Sequence, residues 1–418
     1  MFKIERMLVF CLILSLCLSV IYRDFVIELY PFYFFLLMLL IVRSINIFIK
    51  PKPLIIYNKN IYFIINIIFL ILIFILFFSY DIKESFSYTF YLFACMAIFV
   101  YFYNSIGTLF KEEFIVNALL IIALIQFSLG IIQFFTGTQF GIISIYVGDI
   151  REISRGGIFG GSFRRAMGTF SNPNQYVQFA SIGISITLSK YIITKERTFC
   201  LISLIGFIAL FLNFARGALI AGPLLLITAS IIFIIKKRTF RPFLLVIFTI
   251  LLMGIIIFQP PPILLELLNQ RRHVVNEDKQ IVLIDEVRNK SMFEALIVAS
   301  DNIFGTGFGN YQIAKPESSV SRAHNAFLLI FAEGGWLLFI CFVIFCLIIV
   351  IRLLQLFKRN SNSLLLLASI IFLPSCFLFM NIYLSSMQRE VFALYCVLFG
   401  SALGIAEYDN RKRRKKNG

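Results

Sequence analysis

Four polar clusters break an otherwise apolar chain, and each has residue types that could hold an anion or activate a hydroxyl. The first runs Arg164-Arg165-Ala166-Met167-Gly168-Thr169-Phe170-Ser171-Asn172-Pro173-Asn174-Gln175. Asn172 suits a helix N-cap and Pro173 the first helical position. The free N–H groups and positive dipole end of such a start favour a phosphate. Arg164, Arg165, Asn172 and Asn174 are therefore candidate binding residues, although plain capping would account for the motif equally well. The second cluster is Asn213-Phe214-Ala215-Arg216-Gly217, set between two apolar stretches. An arginine at a membrane boundary must be paired, wetted or snorkelling. Its planar fork also suits a diphosphate. Arg288 is the third; beside Glu286 it could equally be a solvated ion pair. The fourth is Ser321-Arg322-Ala323-His324-Asn325, followed by Glu333-Gly334-Gly335. His324, one of two histidines in the chain, titrates near neutral pH and is suited to act as a general base. On a straight helix Glu333 lies about 13 Å deeper than His324, where a carboxylate should face a polar cavity.

The elements that must position these clusters are membrane helices. Hydrophobic residues make up 60% of the 418 residues and charged ones 14%, against roughly half and a quarter in an ordinary globular domain. The mean hydropathy is +0.92. Uninterrupted apolar blocks, such as 61–80, can cross a hydrocarbon core of roughly 30 Å. The pattern predicts an all-α integral membrane protein with about 12 transmembrane helices. They fall near 7–22, 28–48, 61–80, 87–106, 114–136, 175–193, 199–214, 217–235, 242–259, 325–351, 363–384 and 389–406. Together they fill 1–418 as a single polytopic domain. Lys3 and Arg6 ahead of an apolar run resemble a signal peptide, but no small-residue cleavage pattern follows, so the first helix is read as retained.

Positive charge sorts the loops. One alternate set carries Lys3, Arg6, Arg43, Lys50, Lys52, Lys59, Lys111, Lys190, Lys195, Arg197, Lys236, Lys237, Arg238, Arg241, Arg352, Lys358 and Arg359. That set is assigned to the cytoplasm, with both termini. The basic tail, 407–418, ends in Arg411-Lys412-Arg413-Arg414-Lys415-Lys416 and reads as a contact for anionic headgroups. This distribution accounts for the net charge of +16 without nucleic acid. Two long extracytoplasmic loops remain, 137–174 and 260–323, and both break the rule by carrying arginines. In the second, Glu286 to Ser300 reads as an amphipathic helix with Val287, Phe293, Leu296 and Ile297 on its apolar side. The topology puts all four clusters on the extracytoplasmic face. All eight cysteines lie in apolar blocks and imply no disulfide framework.

In these motifs the chain resembles the O-antigen ligase/polymerase family of bacterial membrane glycosyltransferases. The resemblance rests on Arg-x-x-Gly-Thr-Phe-x-Asn-Pro-Asn at 165–174, Arg216-Gly217, Arg288, Gly305-Thr306-Gly307-Phe308-Gly309-Asn310-Tyr311, His324-Asn325 and Glu333-Gly334, in that order. It implies transfer of a glycan from an undecaprenyl-diphosphate carrier at the outer face of the inner (cytoplasmic) membrane, without cofactor or metal. Arg216 and Arg288 would stabilise the leaving diphosphate, and His324 would accept the proton of the attacking hydroxyl or orient it. Glu333 would position His324 or line the carrier groove. The implied partners are the lipid-linked donor, a glycan or lipid A core acceptor, and membrane lipids, with room for a chain-length regulator. The leading expectation is a polymerase of lipid-linked repeats. A ligase acting on lipid A core is the close alternative, and a lipid-linked oligosaccharide flippase a more distant one. The ligase branch is similar to Gly-x-x-Gly, Thr or Tyr after the His-Asn pair; here Gly335 fits and Leu338 does not.

Overall fold

A computed structural model describes residues 2–17, 31–49, 58–136, 166–170, 172–213, 215–237, 273–275, 281–314, 325–359, 362–382 and 389–417. Helices dominate them: α1 (Phe2–Leu16), α2 (Pro31–Ile49), α3 (Lys59–Ile75), α4 (Ile82–Ser105), α5 (Glu112–Thr136), α6 (Pro173–Thr194), α7 (Arg197–Phe211) and α8 (Arg216–Lys237). After them come α9 (Ile284–Asp301), the short α10 (Tyr311–Ala314), α11 (Ala326–Arg359), α12 (Leu364–Ile382) and α13 (Arg389–Asn417). A two-stranded antiparallel hairpin, β1 (His273–Val275) with β2 (Ile281–Leu283), precedes α9, with His273 opposite Leu283.

Among the described residues, eight helices are long and apolar enough to cross a membrane, and Pro31–Ile47 and Arg197–Phe211 are shorter apolar helices. Each expected span has a helix over its residues except 242–259, which lies outside the described residues. The loop 137–165 and the segment 315–324 lie outside them as well.

Helix ends gather in two groups. At one end, Glu5 near the start of α1 is buried and accepts hydrogen bonds from Tyr101 of α4 (3.0 Å) and Asn46 of α2 (3.3 Å). Glu112 at the start of α5 accepts from Ser363 Oγ, just ahead of α12, and from Leu365 N in its first turn, both at 2.7 Å. Arg413 donates to the carbonyl of Arg359 at 3.0 Å. We call this the basic end. The opposite end collects the last turn of α5 and the first turns of α6, α8 and α13, and is called the site end.

The basic stretch after the last expected span is helical, because α13 continues through it to Asn417. Lysines and arginines are good helix formers and are favoured at the negative end of the helix dipole, so nothing in that run stops the helix.

Without water to drive burial, membrane helices associate by close packing, and small residues allow the closest approach. The extensive contact between α4 and α13 uses Gly400 and Gly404, one helical turn apart. A Cβ at Gly400 would lie 2.8 Å from the carbonyl oxygen of Phe99, and one at Gly404 would lie 2.4 Å from that of Tyr103. Gly404→Val should therefore destabilise the bundle by about 1–3 kcal/mol, the usual cost of overpacking. The thermal unfolding midpoint of the detergent-solubilised protein checks this; an unchanged midpoint would mean that α4 and α13 do not touch there.

Candidate functional site

The site end is built around the loop 166–172. Two glutamines of α5 hold its backbone. Gln133 Oε1 accepts from the N–H of Met167 (2.9 Å) and Gly168 (2.8 Å), while its Nε2 donates to the Gly168 carbonyl (2.5 Å). Gln126 Oε1 accepts from Thr169 N at 3.0 Å, and its Nε2 donates to Thr169 Oγ1 at 2.6 Å. The Thr169 hydroxyl donates to the Cys17 carbonyl at the end of α1. The loop then enters α6 as its sequence indicates. Asn172 takes an extended conformation and its side chain accepts from Asn174 N at 2.8 Å, with Pro173 opening the helix.

Asn213, fully buried in the turn between α7 and α8, ties this loop to the second cluster. Its Nδ2 donates to the carbonyls of Ala166 and, at 3.0 Å, of Pro173. Ala166 N in turn donates to the Leu212 carbonyl at 3.5 Å. Arg216 opens α8 three residues later. Two helix N-termini, those of α6 and α8, are thereby fastened to one amide, and both present the positive end of a helix dipole. Arg164 and Arg165 lie outside the described residues, but the residue that follows them is anchored here.

A buried carboxylate joins the same region. Glu390, in the first turn of α13, accepts from Gln175 Nε2 of α6 at 3.2 Å. One turn further along each helix, Tyr395 Oη donates to Gln178 Oε1 at 2.5 Å. Sequence reasoning missed Gln126, Gln133 and Glu390. Its available signal was their type: amides and a carboxylate inside apolar helices, where polar groups need partners.

The fourth cluster is organised differently from the expectation. His324 lies outside the described residues. Asn325 caps α11, accepting from Phe327 N (2.9 Å) and Leu328 N (3.1 Å). The helix is broken at Gly335, whose φ of 74° and ψ of 175° are non-helical, a conformation open to glycine and strained for other residues. Segment 326–334 folds back against 336–359, so the rings of Phe327 and Phe342 meet at 6.1 Å between centroids. Fifteen residues of straight helix would separate them by about 22 Å along the axis. Phe342 in turn packs on Phe392, two residues from Glu390. The start of α11 is thus linked by packed rings to the helix that carries Glu390.

The break corrects the depth assigned to Glu333, which assumed a continuous helix. The glycine-rich segment 303–311 threads through the gap and takes up the freed backbone groups. Thr306 N donates to the Ala332 carbonyl (3.3 Å), Gly307 N to that of Glu333 (3.0 Å), and Trp336 N to that of Ile303 (3.0 Å). The buried Glu333 carboxylate accepts from Gly309 N at 3.0 Å and from Tyr311 N at 3.4 Å. Both of these bonds go to the glycine-rich loop.

Arg288 lies in the first half of α9. The apolar side expected for this helix is not its buried side. Ser291, Glu294, Ala295, Val298 and Ala299 are buried, against Tyr311, Phe331 and Ala332, while Phe293, Leu296 and Ile297 face outward. Small residues win the contact because they let α9 lie close on segment 326–334 of α11.

Many apolar helices around an amide-bound polar end define a polytopic α-helical membrane protein. Residues 201–343 match the family model described as O-antigen ligase, a stretch that contains Arg216, Arg288, His324, Asn325 and Glu333. Over that segment the chain is similar to the O-antigen ligase family, in agreement with the motif resemblance. No curated protein matches the chain.

Glu333→Ala should strand the buried N–H of Tyr311 and the part-buried one of Gly309, the first at a cost of about 1–3 kcal/mol. We expect a lower unfolding midpoint and faster proteolysis within 303–311, with partial rescue in Glu333→Gln. Full stability with lost activity would instead place Glu333 on the substrate.

Proposed function

We propose that the chain is a membrane glycosyltransferase that polymerises undecaprenyl-diphosphate-linked repeat units into O-antigen, capsule or exopolysaccharide. The reaction takes place at the outer face of the cytoplasmic membrane. The observation that carries this reading is the Asn213 amide, which brings the loop after Arg165 and the start of α6 to the turn before Arg216. A diphosphate at a membrane surface is the anion such a place would hold: its two negative phosphates suit converging helix starts and planar guanidinium forks.

In this scheme a sugar hydroxyl of the acceptor attacks the anomeric carbon of the donor. A new C–O bond forms as the bond to the diphosphate oxygen breaks, and undecaprenyl diphosphate leaves with the negative charge. His324 takes the proton of the attacking hydroxyl. Arg216 and Arg288 stabilise the charge that develops on the leaving group, as a preorganised electrostatic clamp in place of a metal ion. Arg164, Arg165, Asn172, Asn174 and Asn325 contribute to donor binding around it.

The ligase reading, transfer of the finished glycan to lipid A core, is supported by the description of the matched family. Polymerisation is supported by Leu338, which stands where the ligase branch is similar to glycine, threonine or tyrosine. It is buried beside Phe308, Ile330 and Phe342 and offers no polar group to a second acceptor. An in vitro reaction with lipid-linked repeat unit alone separates the two. Longer lipid-linked chains mean polymerase; product only after lipid A core is added means ligase.

With that assay, His324→Ala should insert normally and extend nothing, and retained extension would remove His324 from the scheme. Arg216→Lys should lose about 100-fold in rate, the usual cost of one lost charge-stabilising donor. A wild-type rate would mean that a point charge suffices. Activity should also persist in EDTA; inhibition reversed by Mg²⁺ would contradict the arginine clamp.

A further inference from the structure

We propose that α9 is an interfacial membrane helix, with its C-terminal half immersed in the leaflet at the site end and the face of Phe293, Leu296 and Ile297 in contact with lipid. The inference is independent of glycan transfer and concerns where the second long loop sits. Phe293 is 69% exposed, Leu296 44% and Ile297 50%, although smaller residues of the same helix are buried. A helix standing in water would turn the other way, with its largest apolar side chains inward.

The outward face is also continuous with a surface that must meet lipid. After α9, Ile303 and Phe304 are exposed, and Phe304 stacks on Phe78 with ring centroids 4.7 Å apart and meets Phe74 at 5.9 Å. Phe74 and Phe78 belong to the end of the apolar span Lys59–Phe78, where Phe77 is exposed too. On the other flank, Trp336 and Leu337 are exposed just past the break in α11. Contiguous apolar surface of this extent on a protein marks a contact with membrane or another macromolecule. Its continuity with a membrane span selects the bilayer.

Charge along α9 is distributed accordingly. Asp285, Glu286, Arg288 and Lys290 precede Ser291, whereas after it only Glu294, which is buried, and the terminal Asp301 are ionisable. Lys290 is largely exposed and lies 4.0 Å from Glu294. A lysine there can extend to headgroup phosphates while the following turns rest among acyl chains. The charged half of the helix, with Arg288, then lies at the headgroup level, and the apolar half dips below it.

The chain has one tryptophan, Trp336, so its fluorescence can be moved to the helix. Full-length Trp336→Phe protein carrying Phe293→Trp would be reconstituted in phosphatidylcholine vesicles brominated either near the headgroup or near the acyl terminus. We expect blue-shifted emission that is mostly lost to shallow bromines, less affected by deep ones, and little affected by aqueous iodide. Strong iodide quenching with red-shifted emission would overturn the proposal in favour of a helix in water. Quenching by neither agent would mean that protein, such as a second copy, covers the face. Stronger quenching by deep bromines would mean a crossing helix. Leu296→Trp and Ile297→Trp in the same background keep the test decisive if Phe293→Trp does not yield folded protein. None of these readouts requires glycan transfer.

Discussion

A single side-chain amide, that of Asn213, ties the loop after Arg165, the start of α6 and the turn before α8 to one another. It donates to carbonyls on both sides of the loop that leads from Arg165 into α6, and it belongs to the turn that leads into α8. Such a bond is worth only about 1 kcal/mol net when made, but a buried group left without one costs about 1–3 kcal/mol. The same logic recurs around it. Gln126 and Gln133 satisfy five backbone and hydroxyl groups of the loop from within α5. An irregular loop at the edge of a bilayer is tolerated only where protein supplies every partner that water would have supplied. The amides are the physical reason this loop can hold a fixed shape beside arginines.

The broken helix α11 obeys the same constraint by another route. Its gap at Gly335 frees backbone groups that segment 303–311 takes up one by one, and Glu333 completes the arrangement with its carboxylate. Broken helices often mark transport sites at the bilayer midplane. Here the part after the break is 24 residues, about 36 Å at 1.5 Å per residue, enough to cross the core of roughly 30 Å alone. The break therefore belongs near one end of the span. This geometry favours a site that works at a surface over one that passes substrate through.

Much of the scaffold was legible because lipid imposes a crude rule: long apolar blocks became helices, and Asn172-Pro173 opened α6 as capping chemistry dictates. What stayed hidden was hidden for specific reasons. Hydropathy runs unbroken across Glu333-Gly334-Gly335, so no periodicity signals a reversal, and only the glycine pair hints at one. Gln126 and Gln133 read as isolated polar residues and Asn213 only as a neighbour of Arg216, because their partners lie on distant parts of the chain. The buried side of α9 was misread because hydrophobic periodicity assumes a watery exterior. Where the outside is apolar as well, small size decides which face packs inward, and Ala295 and Ala299 displace Phe293 and Leu296 from the contact.

In the proposed site, the arginine of α8 and the histidine before α11 face one lipid diphosphate at a single membrane surface. The most direct measurement places single cysteines at positions 216 and 324 in a cysteine-free chain and labels intact cells with a membrane-impermeant maleimide, with and without lipid-linked donor. Both positions should label from outside, and the donor should protect both. Labelling from opposite faces, or protection of one position without the other, would contradict that arrangement.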